Sequence, residues 1–155
     1  MPYYNFEKDF QVARKTEKQI AMKLVDLFEN YEFIDFCDNS DYDIECNLNG
    51  KYTTIEIKED FTCERTGNLG LEFECRGKPS GISVSKADYY IYKVHQPNGK
   101  ITLWIVPTEV LKKLIADKRY EVIVNGGDPE SNSMNYLFKF DFIRMHMTFL
   151  AVLEK

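Results

Sequence analysis

Asp43, Glu56 and Lys58 are the residues of this chain whose types and spacing could do chemistry. They flank Asn49-Gly50, a dipeptide that favours a two-residue type I′ hairpin turn. Counting outward from that turn sets Leu48 against Lys51, Cys46 against Thr53, Ile44 against Ile55 and Asp43 against Glu56. Directly opposed side chains in such a ladder have Cβ atoms about 5 Å apart, and like charges there repel. A cation between the carboxylates, or a proton on one of them, relieves the repulsion. Magnesium takes one or two carboxylates and fills its shell with waters and substrate phosphate oxygens. Lys58 stands two residues beyond Glu56 on the same face of the strand. The three together suit metal-assisted phosphodiester hydrolysis. A second reading stays open: Asp41 faces Lys58 in the same register, as in an ordinary ion pair on a solvated sheet face. A bulge would also change which carboxylate meets Glu56.

Glu17 is an independent signal. It lies on the apolar stripe of the first helical segment, four residues after Ala13, three before Ile20 and seven before Leu24. Burying an unpaired carboxylate is costly, so an inward Glu needs a partner or a task. An acidic site beside the hairpin would supply one; a place at the edge of the stripe, with the carboxylate snorkelling to water, is the alternative.

The elements that must position these residues follow from periodicity. Residues 6–31 lack Gly and Pro and repeat apolar residues at helical spacing, which predicts a long helix. Strands are expected over 33–37, in the hairpin, over 69–75, and over 89–94 and 101–106 around the Pro97-Asn-Gly99 turn. Between 60 and 68 the chain reads as loop, and Arg76-Gly-Lys-Pro-Ser-Gly81 as a turn-rich connection. Thr108 reads as the cap of a second helix running to about Asp117, with Glu109 favourably placed near its N-terminus. Further strands are expected over 120–124 and 134–142, around a turn at Gly126-Gly-Asp-Pro129. No repeat or linker interrupts residues 1–155, so the expectation is a single α/β or α+β domain.

Composition excludes several classes. With 44% apolar and 29% charged residues among 155, the chain has the means to build a core in water. A formal net charge of −5 argues against broad coating of nucleic acid but leaves room for a local basic groove. No apolar run approaches a membrane span, and the N-terminus has no secretory pattern. The four cysteines form no C-x-x-C pair, so neither a zinc site nor a disulfide framework is expected, and the cytoplasm is the natural compartment. His95 and His146 have no Cys or His at ligand spacing, and the glycine-rich phosphate loops of nucleotide-binding folds are missing. Trp104 and the Tyr89-Tyr90-Tyr92 cluster could stack on bases, but sheet core is the favoured reading. Glu72 and Glu74 alternate along a strand and are expected to face solvent.

Asp43, then twelve residues, then Glu56-Ile-Lys58, after a helix carrying Glu17, resembles the PD-(D/E)XK nuclease superfamily. The resemblance covers roughly the first sixty residues, with Tyr42 where the motif's proline would stand. It implies a restriction-endonuclease-like α/β fold: a central mixed β-sheet flanked by the N-terminal helix and a second helix, here with extra C-terminal strands. It implies an endonuclease acting on DNA, with Asp43 and Glu56 as ligands of Mg²⁺ or Mn²⁺, Lys58 positioning or activating the attacking water, and Glu17 supporting the site. Cleavage leaving a 5′-phosphate would follow. The segment 77–90 is similar to that of small resolvase-like and phage nucleases of the superfamily. There Arg76, Lys78, Ser80 and Lys86, with the amides of Gly77 and Gly81, could bind phosphates; a plain surface turn is the alternative. A Holliday-junction resolvase, a sequence-specific endonuclease, and a phage recombination or repair nuclease all stay open, in the host cytoplasm if phage-encoded. Resolvases of this kind are typically homodimers and more basic than this chain. The competing class is a non-catalytic nucleic-acid- or protein-binding module on the same fold, and a structural protein with an acidic sheet face is a third.

Overall fold

A computed structural model describes residues 6–37, 41–126 and 132–153, with side chains from residue 15 onward in the first helix. That helix, α1 (Phe6–Leu27), is followed by β1 (Tyr31–Phe36), β2 (Ile44–Leu48), β3 (Lys51–Asp60) and a single-turn helix α2 (Cys63–Thr66). Next come β4 (Asn68–Cys75), β5 (Lys78–Pro79), a 3₁₀ turn at Gly81–Ser83, β6 (Tyr89–His95), β7 (Ile101–Pro107) and α3 (Thr108–Ala116). The chain then runs through β8 (Val122–Gly126), β9 (Ser133–Lys139), α4 (Phe140–Ile143) and β10 (Thr148–Leu153). The fold is mixed α/β, as the pattern predicts.

Two sheets share the strands. Six form a central sheet in the order β1-β2-β3-β6-β7-β10, and four form a second sheet in the order β5-β4-β9-β8. The central sheet is mixed: β3 and β6 run parallel, with Glu56 beside Tyr90 and Lys58 beside Tyr92, while its other pairs are antiparallel. One face packs on α1, whose buried Ile20, Ala21 and Leu24 meet Ile44, Ile55, Ile57 and Ile91. The opposite face carries Tyr90, Tyr92 and Val94 against Leu69, Leu71 and Phe138 of the second sheet and Leu111 of α3. Covered on both sides, β6 reads as a nearly continuous apolar run.

Asp60 ties the two sheets together. Buried at the end of β3, its Oδ1 accepts the Cys63 N–H at 2.9 Å and the Thr62 hydroxyl at 3.1 Å, and its Oδ2 accepts the Gly70 N–H at 3.0 Å. One carboxylate thus starts α2 and straps β4 to β3.

Several expectations change. Residues 60–68 are not all loop, because Asp60 organises α2 within them. Thr108 is the first helical residue rather than the cap; its N–H donates to the Asp88 carbonyl at 3.0 Å and its side chain caps nothing. The crossover from β3 to its parallel partner β6 carries only the single-turn α2 and strands of the second sheet, among them the strand expected over 69–75. The strand predicted over 134–142 stops at Lys139, and α4 and β10 follow it. Of the turn expected at 126–129, all but Gly126 lies outside the described residues.

Candidate active site

The hairpin forms as counted. Asn49 and Gly50 both take positive φ, 55° and 76°, as a type I′ turn requires, and the ladder runs from Leu48↔Lys51 to Ile44↔Ile55. There it ends, so Asp43 and Glu56 are not a rung of the regular ladder. Instead the Asp43 N–H donates to the Ile55 carbonyl at 2.9 Å, one position out of register, and Asp43 Oδ2 accepts the Ile57 N–H at 2.7 Å. The side chain of Asp43 takes over a backbone donor that β2 no longer reaches, which fixes the carboxylate where the two strands part.

Glu56 and Lys58 project from β3 on the face turned to the second sheet. Lys58 Nζ lies 3.3 Å from Glu56 Oε1, and the Glu56 side chain is only 13% exposed. The ion pair of Lys58 with Asp41 does not form; Asp41 Oδ2 instead lies 4.0 Å from Lys86 Nζ. Burial pushes the Glu56 carboxyl up to about 7; Lys58 opposes this, while the charges of Asp43 and Glu17 add to it. The four residues singled out in the sequence therefore act on one point, with Glu17 reaching the group from α1. It is part-buried, beside the buried stripe of Thr16, Ile20, Ala21 and Leu24.

Tyr90 belongs to the same locality and was read from sequence as plain core. It is core, fully buried, but it also flanks Glu56 in the parallel ladder. Burial above all, with the charges of Glu56 and Asp43, holds its phenol well above the usual value. Among the described residues its hydroxyl makes no hydrogen bond of good geometry, although Ser85 stands near enough to draw the phenol back toward its ordinary value, and a weakly satisfied buried hydroxyl leaves room for a water nearby. A parallel partner arriving across a long crossover leaves no local trace, so sequence spacing could not link Tyr90 to Glu56.

The residues fit a hard divalent ion that brings its own waters and substrate oxygens. Two carboxylates, one anchored by a backbone N–H, are the protein share of a magnesium shell. A cation there would offset the burial and the acidic neighbours that raise the Glu56 carboxyl. Among the described residues no group of three His, Cys, Asp or Glu side chains is placed to hold a metal by itself, so an ion here would complete its shell with waters and substrate oxygens.

The proposed phosphate ligands are dispersed. Arg76 and Lys78 sit exposed at the turn between β4 and β5. Ser80 gives its hydroxyl to Glu72 Oε2 at 3.0 Å. Gly81 serves packing: at φ +51° a Cβ there would lie 2.1 Å from the Glu72 carbonyl oxygen. Lys86 is exposed and stands by Asp41 at the end of the hairpin. Glu72, expected to face solvent, is part-buried and lines a cleft with Lys58.

No protein-family model and no curated protein matches the sequence. Among solved structures, the chain is similar to a bacterial homing endonuclease, at 16% identity over 68% of this chain and 71% of the other, with a TM-score of 0.43. A likeness at that level leaves function to be decided by the residues themselves. Among the described residues no helix is long and apolar enough to cross a membrane.

Proposed function

We propose that the protein is a DNA endonuclease that hydrolyses phosphodiester bonds with Mg²⁺ or Mn²⁺. The observation that supports this best is the convergence on Glu56: a buried carboxyl raised to about 7 by burial and by two further acids, with an ammonium 3.3 Å away. Such crowding is expensive in a purely structural site and is what a cation-binding site needs before its ion arrives. Asp43 and Glu56 would hold the ion, which supplies charge stabilisation at the scissile phosphate. Lys58 orients the attacking water and stabilises the negative charge that grows on it as its proton leaves. The water oxygen bonds to phosphorus as the P–O3′ bond breaks; the water's proton passes to bulk solvent and the departing 3′-oxygen takes one from it, giving a 5′-phosphate and a 3′-hydroxyl. The backbone anchor on Asp43 keeps its carboxylate in place, and Glu17 adds negative charge that the ion would offset.

Structure-selective cutting, as by a junction resolvase, and a role in phage recombination or repair are the finer forms of this reading; a homodimer would suit the former. The net charge of −5 favours the second reading, a non-catalytic module that meets a protein partner. The two separate on a panel of labelled single-stranded, duplex, flap and four-way-junction DNAs with Mg²⁺ or Mn²⁺. Wild type should cut at least one of them, and Lys58→Ala, with its fold intact, should lose at least a hundredfold in rate, as expected for removing a charge-stabilising group (about 10²–10³). Wild type inert on every substrate would move the assignment to the binding module.

A further inference from the structure

Beside Lys58 a cleft of about 490 Å³ opens between β3 and the second sheet. That lies within the range of about 300–1,000 Å³ in which pockets enclose a small ligand. Its walls mix apolar and polar groups: Leu71, Val124 and Leu137 from the second sheet, the buried Tyr92 from the first and the 57% exposed Phe61 supply the apolar surface, between charged and polar side chains. The Phe61 ring stacks on His95 with centroids 4.4 Å apart, which holds it in place.

The polar groups of the cleft divide into spent and unspent. Both Asp60 oxygens accept N–H groups, Glu72 accepts the Ser80 hydroxyl, and Glu59 accepts the Thr16 hydroxyl at 2.6 Å. Asn135 and Arg65, by contrast, make no side-chain hydrogen bond or ion pair among the described residues. An amide with donor and acceptor to offer, within a flat-walled cleft, suits the edge of a nucleobase. A guanidinium at the same cleft suits a phosphate. Gly70 leaves room at the Asn135 amide: a Cβ there would come no nearer than 3.7 Å to any neighbour.

We infer that this cleft seats one unpaired nucleotide of the substrate. Its base would lie against Phe61 and meet Asn135, with Arg65 taking the adjoining phosphate and Lys58 facing the phosphate to be cut. A base inside a duplex must first be unstacked and unpaired, at a cost of about a few kcal/mol, so the substrate class favoured is DNA with a nucleotide already unpaired at the cut, such as a flap, gap or branch. The inference rests on the nuclease reading for the role of Lys58, but the cleft is testable without it.

The test uses DNA flaps with 2-aminopurine at the first unpaired nucleotide, at low salt and without divalent metal, so that binding is read and cleavage is not. Wild type should change the fluorescence several-fold, and an intact duplex with the same base paired should show no change. Phe61→Ala and Asn135→Leu should each weaken the response at least fivefold, with folding checked by circular dichroism. Lys113→Ala, exposed on α3 and outside the cleft, should keep it. No response with wild type, or an undiminished response in both cleft variants, overturns the inference. Metal-dependent cleavage of paired and unpaired DNA at equal rates would overturn the inference and leave the nuclease standing. A response that tracks Phe61 and Asn135 without any cleavage would uphold the cleft and remove the nuclease.

Discussion

Glu56 and Glu59 sit three residues apart on β3, on opposite faces, and their surroundings drive them in opposite directions. Burial pushes both carboxyls up. Around Glu59 it is overcome by a hydrogen bond from Thr16, a contact with His95 Nε2 at 2.8 Å and the Lys93 ammonium at 3.4 Å, which together hold Glu59 below its ordinary value. Around Glu56 one ammonium faces two additional acids, and the carboxyl rises to about 7. The α1 face has closed its charge locally; the face toward the second sheet has not. Surface exposure is similar, with side chains 14% and 13% exposed, but Glu56 is packed among more of the protein, so heavier burial and the company each acid keeps together make the difference.

The largest break in this contrast should come from Glu59→Ala. It leaves His95 and the Thr16 hydroxyl without this acceptor and Lys93 with Gln19 alone, and removing one partner of a buried pair costs about 3–5 kcal/mol. Urea unfolding at pH 7 should show a loss of that order. The sign with pH is set by the lowered carboxyl: its stabilisation is present above the unfolded value and is lost as pH falls through the folded one. The wild-type advantage should therefore shrink in acid. A loss below about 1 kcal/mol at pH 7 would mean that the network is incidental.

Glu56→Gln should move stability the other way. The wild-type carboxyl binds its proton more tightly folded than unfolded, so its contribution is present below the unfolded value and lost as pH climbs through about 7. At about 1.36 kcal/mol per unit, a rise from 4.5 to about 7 corresponds to about 3 kcal/mol. That net rise already includes the opposing pull of Lys58, so the variant should be more stable by about 3 kcal/mol at pH 8 without metal, and indistinguishable from wild type near pH 4. Equal stability at pH 8 would place Glu56 in water rather than in a crowded site.

The smallest effect sharpens the comparison. Mg²⁺ at ten times its Kd should stabilise the protein by about 1.4 kcal/mol, read as a rise in Tm. The rise should be larger at pH 8 than at pH 5, because the ion displaces a proton. Glu56→Gln should abolish it and Glu59→Gln should leave it intact. A pH-independent rise in both variants would mean the ion binds elsewhere.

How much of this was legible in the sequence depends on how far apart the partners lie in the chain. The hairpin, its turn and the positions of Asp43, Glu56 and Lys58 are local, and counting recovered them up to the last rung. The local slip at Asp43 was foreseeable only as an option, because a bulge depends on where β2 leaves the sheet. Glu17 was legible because helical spacing is also local. Tyr90, Phe61, Arg65 and Asn135 were not, since each meets β3 or the cleft only through the crossover or the second sheet. The glycine–lysine segment misled for a related reason. Its composition suits anion binding, but Gly81 and Ser80 are committed to Glu72 on a strand that sequence spacing does not place beside them.

The C-terminal strands carry a consequence for the order of folding. β9 pairs with both β4 and β8, and β10 closes the far edge of the central sheet on β7. Residues 133–153 thus supply a strand to each sheet, and the wall of the cleft that Asn135 and Leu137 provide arrives with them. On a ribosome, α1 and the hairpin would emerge early and place Asp43, Glu56 and Lys58 together while the second sheet still lacked its middle. Such long-range closure is slow and leaves strand edges exposed meanwhile, so the acidic site would be assembled before the cleft beside it has walls.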